Sequence, residues 1–263
     1  MVPPMTRLFG TNAVEDILAQ APDAIRGILH AARLDPDARR LVDAARAAGI
    51  PVREATNDEL HQRSGSRCGA AIAADLKIAP ALDPETLDPI AHPIIVALDQ
   101  VTDPHNLGAI LRSVAAFGAH AVIVPKDHAA PLNDAAMRAS AGAAAQIPIA
   151  RVTNLARTLS ALHDEQGYWP CAVTHDATAD AWSTDLGNLP LVLVLGAEGA
   201  GLRPLVRRAC KLAVRLPITS RVGSLNVSVA AGVALAEVAR QRGVRAARLL
   251  ANDSSSSDRR TGR

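Results

Sequence analysis

Aromatic side chains are scarce in this chain of 263 residues, which has two Trp, one Tyr and two Phe, or 2% of the total. Proteins that bind single-stranded nucleic acid by stacking its bases need several exposed rings. The composition therefore argues against a base-stacking platform. Any RNA would have to be bound through its phosphates and through groups that reach one extruded nucleotide.

Cysteine is also rare, with Cys68, Cys171 and Cys210 spread widely along the chain. This spacing provides neither a disulfide framework nor a zinc ligand set, so we expect no metal site and a reducing, cytoplasmic location. No apolar run reaches the length of a membrane span. Met1 to Gly10 lacks the basic and apolar segments of a secretory signal, and we expect no membrane partner.

Charge of one sign is not in large excess, because 28 Lys and Arg stand against 26 Asp and Glu, for a net charge of +2. This balance permits nucleic-acid binding by a local basic patch but does not require it. With 49% hydrophobic and 21% charged residues, the chain is long enough for one large domain or for two.

The sequence divides into two α/β domains, a linker and a tail. Short strands alternate with helices over residues 5–78, which predicts a small α/β module. Three prolines in residues 79–91 predict a linker. The second domain is expected over residues 92–243, and the Ser-rich segment 251–263 is expected to be disordered.

In the small module, Thr11 or Asn12 is predicted to cap a first helix, and Asp35 with Pro36 to open a second that Gly49 ends. The other predicted elements are the strands Ile25–Leu29, Ile50–Val52 and Ala70–Ala74 and the helix Asp58–Gln62.

Continuous apolar runs dominate the second domain, as expected of parallel strands that helices cover on both faces. The predicted strands are Pro93–Leu98, Ala121–Val124, Ile147–Ile149, Trp169–Val173, Leu191–Leu195 and Leu212–Leu216. The predicted helices are Asn106–Phe117, Asp134–Ala144, Leu155–Glu165 and Val227–Gln241, with Gly118 and Gly243 at helix ends.

Polar motifs follow three of these strands. Motif I is the turn and helix start Asp99–Arg112, motif II is the glycine-rich turn Gly196–Leu202, and motif III is Ser224–Ser228. Because ligands of an open parallel sheet bind beyond the carboxyl ends of its strands, we expect the three motifs to meet at one site.

Motif II allows a ligand to approach the backbone closely, since Gly196, Gly199 and Gly201 lack β-carbons and tolerate positive φ. An ordinary glycine turn is an equally good interpretation of this motif alone. Neither G-x-G-x-x-G nor G-x-x-x-x-G-K-[ST] occurs, so the usual dinucleotide and triphosphate sites are not indicated. Glu198 would repel a polyphosphate and suits a ligand with a cation or hydroxyls.

Structural interpretations stand beside the functional ones for the polar side chains of motifs I and III. Asn106 and one of Ser224 and Asn226 could be helix caps, and Arg112 could form a surface salt bridge. The small residues after motif III favour close helix packing, against this chain or a second subunit.

Histidines outside the motifs form no nucleophile or ligand pattern. We interpret His175 with Asp176, and His61, as surface residues, and Arg207 with Arg208 as a solvated or RNA-facing patch.

These motifs resemble those of the SpoU family of RNA ribose 2′-O-methyltransferases, part of the SPOUT class. The family pattern N-x-G-x-x-x-R corresponds to Asn106, Gly108 and Arg112, the pattern G-x-E-G-x-G-L to residues 196–202, and S-L-N-V-S to residues 224–228. The small module resembles the L30e-like substrate-binding domain of bacterial 23S rRNA guanosine-2′-O-methyltransferases, whose target is the P-loop guanosine of the peptidyl transferase centre.

The resemblance implies a deep trefoil knot in the second domain, a homodimer, S-adenosylmethionine as cofactor and 23S rRNA as substrate. It places the cofactor at Gly196, Gly201, Leu216 and Leu225. The implied catalytic residues are Arg112, Asn106, Glu198, Asn226 and Ser224.

Two departures from the family pattern bear on RNA recognition and on motif III. Gly223 stands where we expect Ser, and Ser66-Arg67-Cys68-Gly69 replaces an expected Asn-His-Gln-Gly. A tRNA ribose methyltransferase of the same family and a non-catalytic rRNA-binding assembly factor remain as alternatives. The sequence does not identify the nucleotide, the required assembly state of the rRNA or the proton acceptor.

Overall fold

A computed structural model describes residues 6–56, 59–60, 71–77, 79–91, 93–219 and 223–257 of the chain. These residues form a four-stranded sheet in an N-terminal module (residues 6–77) and a seven-stranded sheet in a C-terminal domain (residues 93–257). Both parts are α/β, as predicted. The exact domain boundaries stay a prediction.

The N-terminal module has strand order β1-β4-β2-β3. Its strands β1 and β2 pair antiparallel with β4, and β2 pairs parallel with β3. The elements in chain order are β1 (Thr6–Phe9), α1 (Thr11–Gln20), a 3₁₀ turn (Pro22–Ala24), β2 (Ile25–His30), α2 (Pro36–Ala47), β3 (Val52–Glu54) and β4 (Ile72–Leu76).

Local chemistry explains one predicted helix start in this module and corrects the other. The Asp35 side chain accepts a hydrogen bond from the Ala38 amide at 2.7 Å, and Pro36 opens α2, as predicted. The N-cap residue of α1 is Gly10, and no side chain accepts a capping hydrogen bond there. The predicted capping by Thr11 or Asn12 is therefore wrong. Gly10 has φ of 99°, a conformation that glycine adopts without strain.

The C-terminal domain has strand order β7-β6-β5-β10-β8-β11-β9, with every neighbouring pair parallel. The connecting helices cover both faces, so the central strands β5, β6 and β10 are buried along almost their whole length.

Five of the six predicted strands of this domain are confirmed with end shifts of at most one residue, whereas the predicted strand Ile147–Ile149 overlaps β7 only at Ile149. The elements in chain order are a 3₁₀ turn (Pro84–Thr86), β5 (Ile94–Asp99), α3 (Pro104–Ala116), β6 (Ala121–Pro125), α4 (Asp134–Ala139), a 3₁₀ turn (Ala143–Ala145), β7 (Ile149–Val152), α5 (Leu155–Asp164), β8 (Trp169–Val173), β9 (Ala179–Asp180), β10 (Leu191–Gly196), α6 (Pro204–Ala209), β11 (Leu212–Arg215) and α7 (Val227–Ser257).

Helix ends account for most of the differences from the sequence prediction. The predicted helix Asp134–Ala144 is interrupted, because Ala141 and Gly142 adopt positive φ of 48° and 82°. The predicted helix stop at Gly243 is wrong, since α7 continues through it to Ser257. One glycine costs a helix about 1 kcal/mol, which flanking Arg, Ala and Leu can offset.

Some sequence predictions stay predictions. Residues 258–263 of the segment expected to be disordered lie outside the described residues, and so do Cys68 and most of the expected helix Asp58–Gln62. The trefoil knot is not tested by the strand order.

The two parts of the chain are packed together. Ile17 of α1 is fully buried and lies against Gly142 of the C-terminal domain, where a Cβ would be 2.0 Å from Ile17 Cδ1. The predicted linker lies on the C-terminal domain as well: the Ala79 amide donates to the Ala145 carbonyl at 2.7 Å, and Leu87 is buried. Apolar side chains of both sheets therefore belong to one continuous core.

Candidate active site

Motif I begins where β5 ends and continues into α3. The Asp103 side chain caps α3 by accepting from the His105 amide at 2.9 Å, so Asn106 is not needed as a cap. Arg112, two turns into the helix, is exposed. Its side chain has no hydrogen bond or ion pair within the described part of the chain, so the predicted surface salt bridge is not found there.

Gly108 of motif I allows two helices to pack closely. A Cβ on Gly108 would lie 2.4 Å from the Ala136 carbonyl oxygen and 2.6 Å from Ala139 Cβ, both on α4. Any larger residue would push α3 away from α4. Gly108 thus sets the position of the helix that carries Asn106 and Arg112.

Hydrogen bonds join side chains of all three motifs. The Asn226 side-chain amide donates to Asn106 Oδ1 at 3.0 Å and also to Glu198 Oε1. Asn106 Nδ2 donates to Glu198 Oε1 at 3.4 Å, and the Val227 amide donates to the same oxygen at 3.4 Å. The expected meeting of the three motifs at one site is confirmed, with Glu198 as the common acceptor.

Asn226 is also the N-cap of α7. Its Oδ1 accepts from the Ser228 amide at 2.9 Å and from the Val229 amide at 3.3 Å. This answers the question left open by the sequence: Asn226 caps the helix, while its side-chain amide holds motifs I and II. Ser224 is exposed and is not the cap.

A pocket of about 330 Å³ opens beyond the carboxyl ends of β8, β10 and β11. A pocket of this size can hold a small-molecule ligand. The four residues predicted to bind the cofactor line it, namely Gly196, Gly201, Leu216 and Leu225, and so do Glu198 and Ser224. Asn106, Arg112 and Asn226 do not line it; Asn106 and Asn226 reach its wall through Glu198.

The glycines of motif II form the floor of this pocket. A Cβ on Gly196 would lie 2.2 Å from the Gly201 carbonyl carbon and oxygen, so two stretches of backbone are in direct contact there. Gly199 and Gly201 have φ of 76° and 66°, which residues with a side chain rarely adopt. At these glycines, a ligand in the pocket therefore meets backbone rather than side chains.

Three pocket residues were not connected with the pocket by the sequence, although His175 and Asp176 are exposed, as predicted. His175, Asp176 and Arg207 line the pocket, together with Thr174. Thr174 Oγ1 donates to Asp176 Oδ1 at 2.7 Å, and this bond is the main reason that the pKa of Asp176 is lowered. The sequence signal was present, since polar residues follow β8, but the place of β8 beside β10 was not evident.

Asp99 is a further residue whose role the sequence did not reveal. It is fully buried at the end of β5 and accepts from the Arg203 amide at 2.8 Å and from Arg203 Nε at 2.8 Å. Arg203 directly follows motif II, so this ion pair joins motif II to the end of β5, where motif I begins. An acidic residue at the end of an apolar strand was the available signal.

The remaining chemistry of the described residues is limited. Within them, no group of three or more His, Cys, Asp or Glu is placed to hold a metal ion. Burial raises the pKa of Cys171 and of Cys210 to about 12, so both thiols are neutral at pH 7 and neither is an activated nucleophile. In the same residues, no helix is both long enough and apolar enough to cross a membrane.

The fold and site together define a class. A parallel α/β domain with a glycine-floored pocket at the carboxyl ends of its strands is a small-ligand-binding enzyme scaffold. The chain belongs to the SpoU rRNA methylase family, whose model matches residues 93–236, and residues 7–77 match the model of the RNA 2′-O ribose methyltransferase substrate-binding domain.

Curated relatives resemble the chain over most of its length. The 23S rRNA (guanosine-2′-O-)-methyltransferase RlmB of Vibrio parahaemolyticus is 38% identical over 240 residues, which cover 89% of this chain and 96% of the relative. The protein of the same name from Pseudomonas aeruginosa is 40% identical over 243 residues, covering 90% and 96%. That of Escherichia coli K12 is 38% identical, covering 89% and 98%.

Solved structures share the fold across both parts of the chain. The SpoU methyltransferase AviRb from Streptomyces viridochromogenes, in complex with the cofactor AdoMet, is 26% identical, with a TM-score of 0.69 over 90% of each chain. An AdoMet-bound rRNA methyltransferase from Sinorhizobium meliloti is 25% identical, with a TM-score of 0.68 over 90% of this chain and 87% of that one.

Proposed function

We propose that this protein transfers a methyl group from S-adenosylmethionine to the ribose 2′-oxygen of a guanosine in 23S rRNA. The observation that carries the proposal is the set of hydrogen bonds that holds Asn106, Glu198 and Asn226 together at the edge of the glycine-floored pocket. The identity of about 40% to 23S rRNA guanosine-2′-O-methyltransferases supports the same substrate class. By the resemblance noted above, the nucleotide is the P-loop guanosine.

The pocket fits the cofactor in shape and in chemistry. Leu216 and Leu225 offer apolar surface for a flat adenine, and the glycines of motif II leave backbone groups open to it. The carboxylates of Asp176 and Glu198 suit a cationic ligand. When bound, the cofactor supplies a methyl group on a positively charged sulfur. The sulfur leaves as a neutral thioether, which is a good leaving group.

The protein must position the ribose and assist the loss of its 2′-proton. Orientation of reacting groups can lower a barrier by roughly 7–11 kcal/mol in well-oriented systems. Arg112 is permanently protonated and cannot act as a base. We propose that it binds a phosphate next to the target and lowers the pKa of the 2′-hydroxyl, so that the proton leaves to phosphate or water.

The other motif residues are proposed to position rather than to transfer protons. Glu198 accepts several hydrogen bonds on one oxygen, which suits a connector between motifs better than a general base. Asn106 and Asn226 orient motifs I and III and the ribose. Ser224, which lines the pocket, helps to position the bound ligands.

The experiment is ribose-methylation mapping of RNA from cells with and without the protein, followed by assay of the Arg112→Lys and Arg112→Ala variants. We expect a 23S rRNA methylation to disappear from the deletion strain and both variants to lose most of their turnover. Full turnover by Arg112→Lys would remove the proposed role of Arg112. Arg157→Lys, which alters an exposed arginine of α5 outside the pocket, is the control.

The same experiment separates the alternative functions. Loss of a tRNA methylation instead would identify a tRNA enzyme of the family. A protein that does not bind S-adenosylmethionine in calorimetry and leaves every methylation intact would be a non-catalytic assembly factor.

We also propose that the protein is a cytoplasmic homodimer. The exposed apolar side chain of Val229 on α7, 49% exposed, lies three residues after Asn226 and would be covered by a second subunit. The small residues of α7 favour close packing there. Light scattering coupled to gel filtration tests the dimer, and a monomer at micromolar concentration would contradict it.

A further inference from the structure

The charges that line the pocket have not all been accounted for by the motifs. In the described part of the chain, the charged or titratable side chains on the pocket wall are His175, Asp176, Glu198 and Arg207. Glu198 uses its Oε1 in bonds to Asn106, Asn226 and the Val227 amide, which tie it to motifs I and III. The titratable pocket side chains that no motif bond engages are His175, Asp176 and Arg207, and the last two carry opposite charges.

Asp176 is held in place while part of it stays open. Thr174 Oγ1 donates to Asp176 Oδ1 at 2.7 Å, which fixes the carboxylate and leaves Oδ2 to accept from elsewhere. This bond and the charge of Arg207 both keep the pKa of Asp176 below its usual range. Asp176 is therefore an anion at any pH at which the enzyme would work.

Arg207 is near this carboxylate without pairing to it. It lies on α6, which follows motif II, and is half-buried on the pocket wall. Its side chain makes no hydrogen bond or ion pair with any residue that the structure describes. Two opposite charges that face one pocket but do not neutralise each other form a complementary surface for a zwitterion.

Strand order places Asp176 away from the reacting end of the site, and Arg207 lies close enough to Asp176 for the two charges to interact. Motif I follows β5, motif II follows the adjacent β10, and Asp176 follows β8, one strand further on. The methyl group has to face the ribose near motif I. The non-reacting parts of the cofactor must then lie toward β8, where Asp176 and Arg207 are.

We propose that Asp176 and Arg207 bind the amino-acid end of the cofactor, with the Asp176 carboxylate accepting from its α-ammonium and the Arg207 guanidinium donating to its α-carboxylate. This inference rests on the proposed function and makes both residues determinants of cofactor affinity. A ribose diol bound to Asp176 is the competing possibility, but it would leave Arg207 without a partner.

Calorimetry with matched ligands tests this assignment. S-adenosylhomocysteine and 5′-methylthioadenosine share the adenosine and the sulfur, and only the first has an amino-acid end. Asp176→Asn and Arg207→Met should each weaken S-adenosylhomocysteine about 10- to 100-fold, the range for losing a hydrogen bond to a charged group. Binding of 5′-methylthioadenosine should stay within about twofold, which also shows that the variants are folded.

A comparison of S-adenosylmethionine with its decarboxylated form separates the roles of the two residues. Decarboxylated S-adenosylmethionine keeps the ammonium and lacks the carboxylate, so Arg207→Met should leave its affinity unchanged while Asp176→Asn weakens it. Arg208→Met and Asp164→Asn, exposed charges outside the pocket, are the controls and should bind all ligands normally.

Equal weakening of S-adenosylhomocysteine and 5′-methylthioadenosine would overturn the inference and favour a ribose contact. Unchanged affinity for both would also overturn it. If the wild-type protein bound S-adenosylhomocysteine but the variants behaved in either of these ways, the proposed function would remain valid and only the assignment of Asp176 and Arg207 would fail. A wild-type protein that bound no adenosyl ligand would overturn both.

Discussion

The buried carboxylate of Asp99 illustrates how much one residue can determine in this site. Asp99 is 0% exposed, whereas its partner Arg203 is 43% exposed. Water can therefore solvate Arg203 if Asp99 is lost, but it cannot solvate Asp99 if Arg203 is lost. A buried charge without its partner is the more costly of the two situations.

We expect Arg203→Met to lower the free energy of unfolding by about 1–3 kcal/mol, and Asp99→Asn by less, because the neutral amide can still accept from the Arg203 amide. Urea denaturation at pH 7 measures both. Equal losses, or a larger loss for Asp99→Asn, would show that burial of Asp99 does not determine the stability of the pair. The exposed ion pair of Arg215 with Asp180 is the control, and Arg215→Met should cost no more than about 1 kcal/mol.

Gly223 is the residue of motif III that departs from the family pattern. A Cβ on Gly223 would meet nothing within 4 Å, and its backbone is not in the left-handed region. We expect Gly223→Ser to change the free energy of unfolding by no more than about 0.5 kcal/mol and to leave turnover intact. Gly199→Ser, at φ of 76°, is the contrasting variant and should lose stability. A destabilised Gly223→Ser would mean that this glycine is required.

At the residue scale, sequence reasoning found the motif residues and missed the pocket residues outside them. Asn106, Glu198 and Asn226 stood out because each follows a strand end in a distinctive pattern. Asp176 and Arg207 carry no such pattern. They reach the pocket only because β8 pairs with β10 and α6 follows motif II, and strand order is a property of the folded chain.

Among the elements, α3 depends on a glycine for its place against α4, and this dependence can be tested. Gly108→Ala would put a methyl group 2.4 Å from the Ala136 carbonyl oxygen. We expect it to lower the free energy of unfolding by about 1–3 kcal/mol despite the better helix propensity of Ala, and to reduce turnover because Asn106 moves. Thermal unfolding and a methylation assay measure the two effects.

Gly232→Ala is the matched control for Gly108, because it is also a helix glycine between packed helices. Its Cβ would lie 3.4 Å from Ser113 Oγ, an ordinary contact, so the variant should be neutral or stabilised by up to about 1 kcal/mol. If both alanine variants behaved alike, close packing at Gly108 would not be the cause.

Elements with a long apolar run were predicted from the sequence, and very short elements were missed. The buried strands β5 and β10 are six residues each and fully apolar before their last position. By contrast, β9 has two residues and exists because Arg215 and Val214 of β11 pair with it. The six-residue α6 opens on Pro204 and is too short for a helical period to be recognised.

In the whole molecule, the N-terminal module and the C-terminal domain share apolar packing. Ile17 of α1 and Ala21, which directly follows α1, belong to the same core as Met137 and Ala144 of the C-terminal domain. The sequence predicted a linker between two domains and did not indicate this contact, because Ile17 only completes an amphipathic helix face. The shared core couples the substrate-binding module to α4, which packs on the motif I helix at Gly108.

This coupling predicts that the protein unfolds in a single transition. Ile17→Ala should lower the free energy of unfolding by about 2–5 kcal/mol, the range for deleting a buried isoleucine side chain, and shift that transition as a whole. Ile28→Ala, buried within the N-terminal module, should shift the same transition. Differential scanning calorimetry measures both, and the affinity for S-adenosylmethionine below the transition should be unchanged. Two resolved transitions, of which these substitutions moved only the first, would show instead that the modules fold independently and that the Ile17 contact adds little stability.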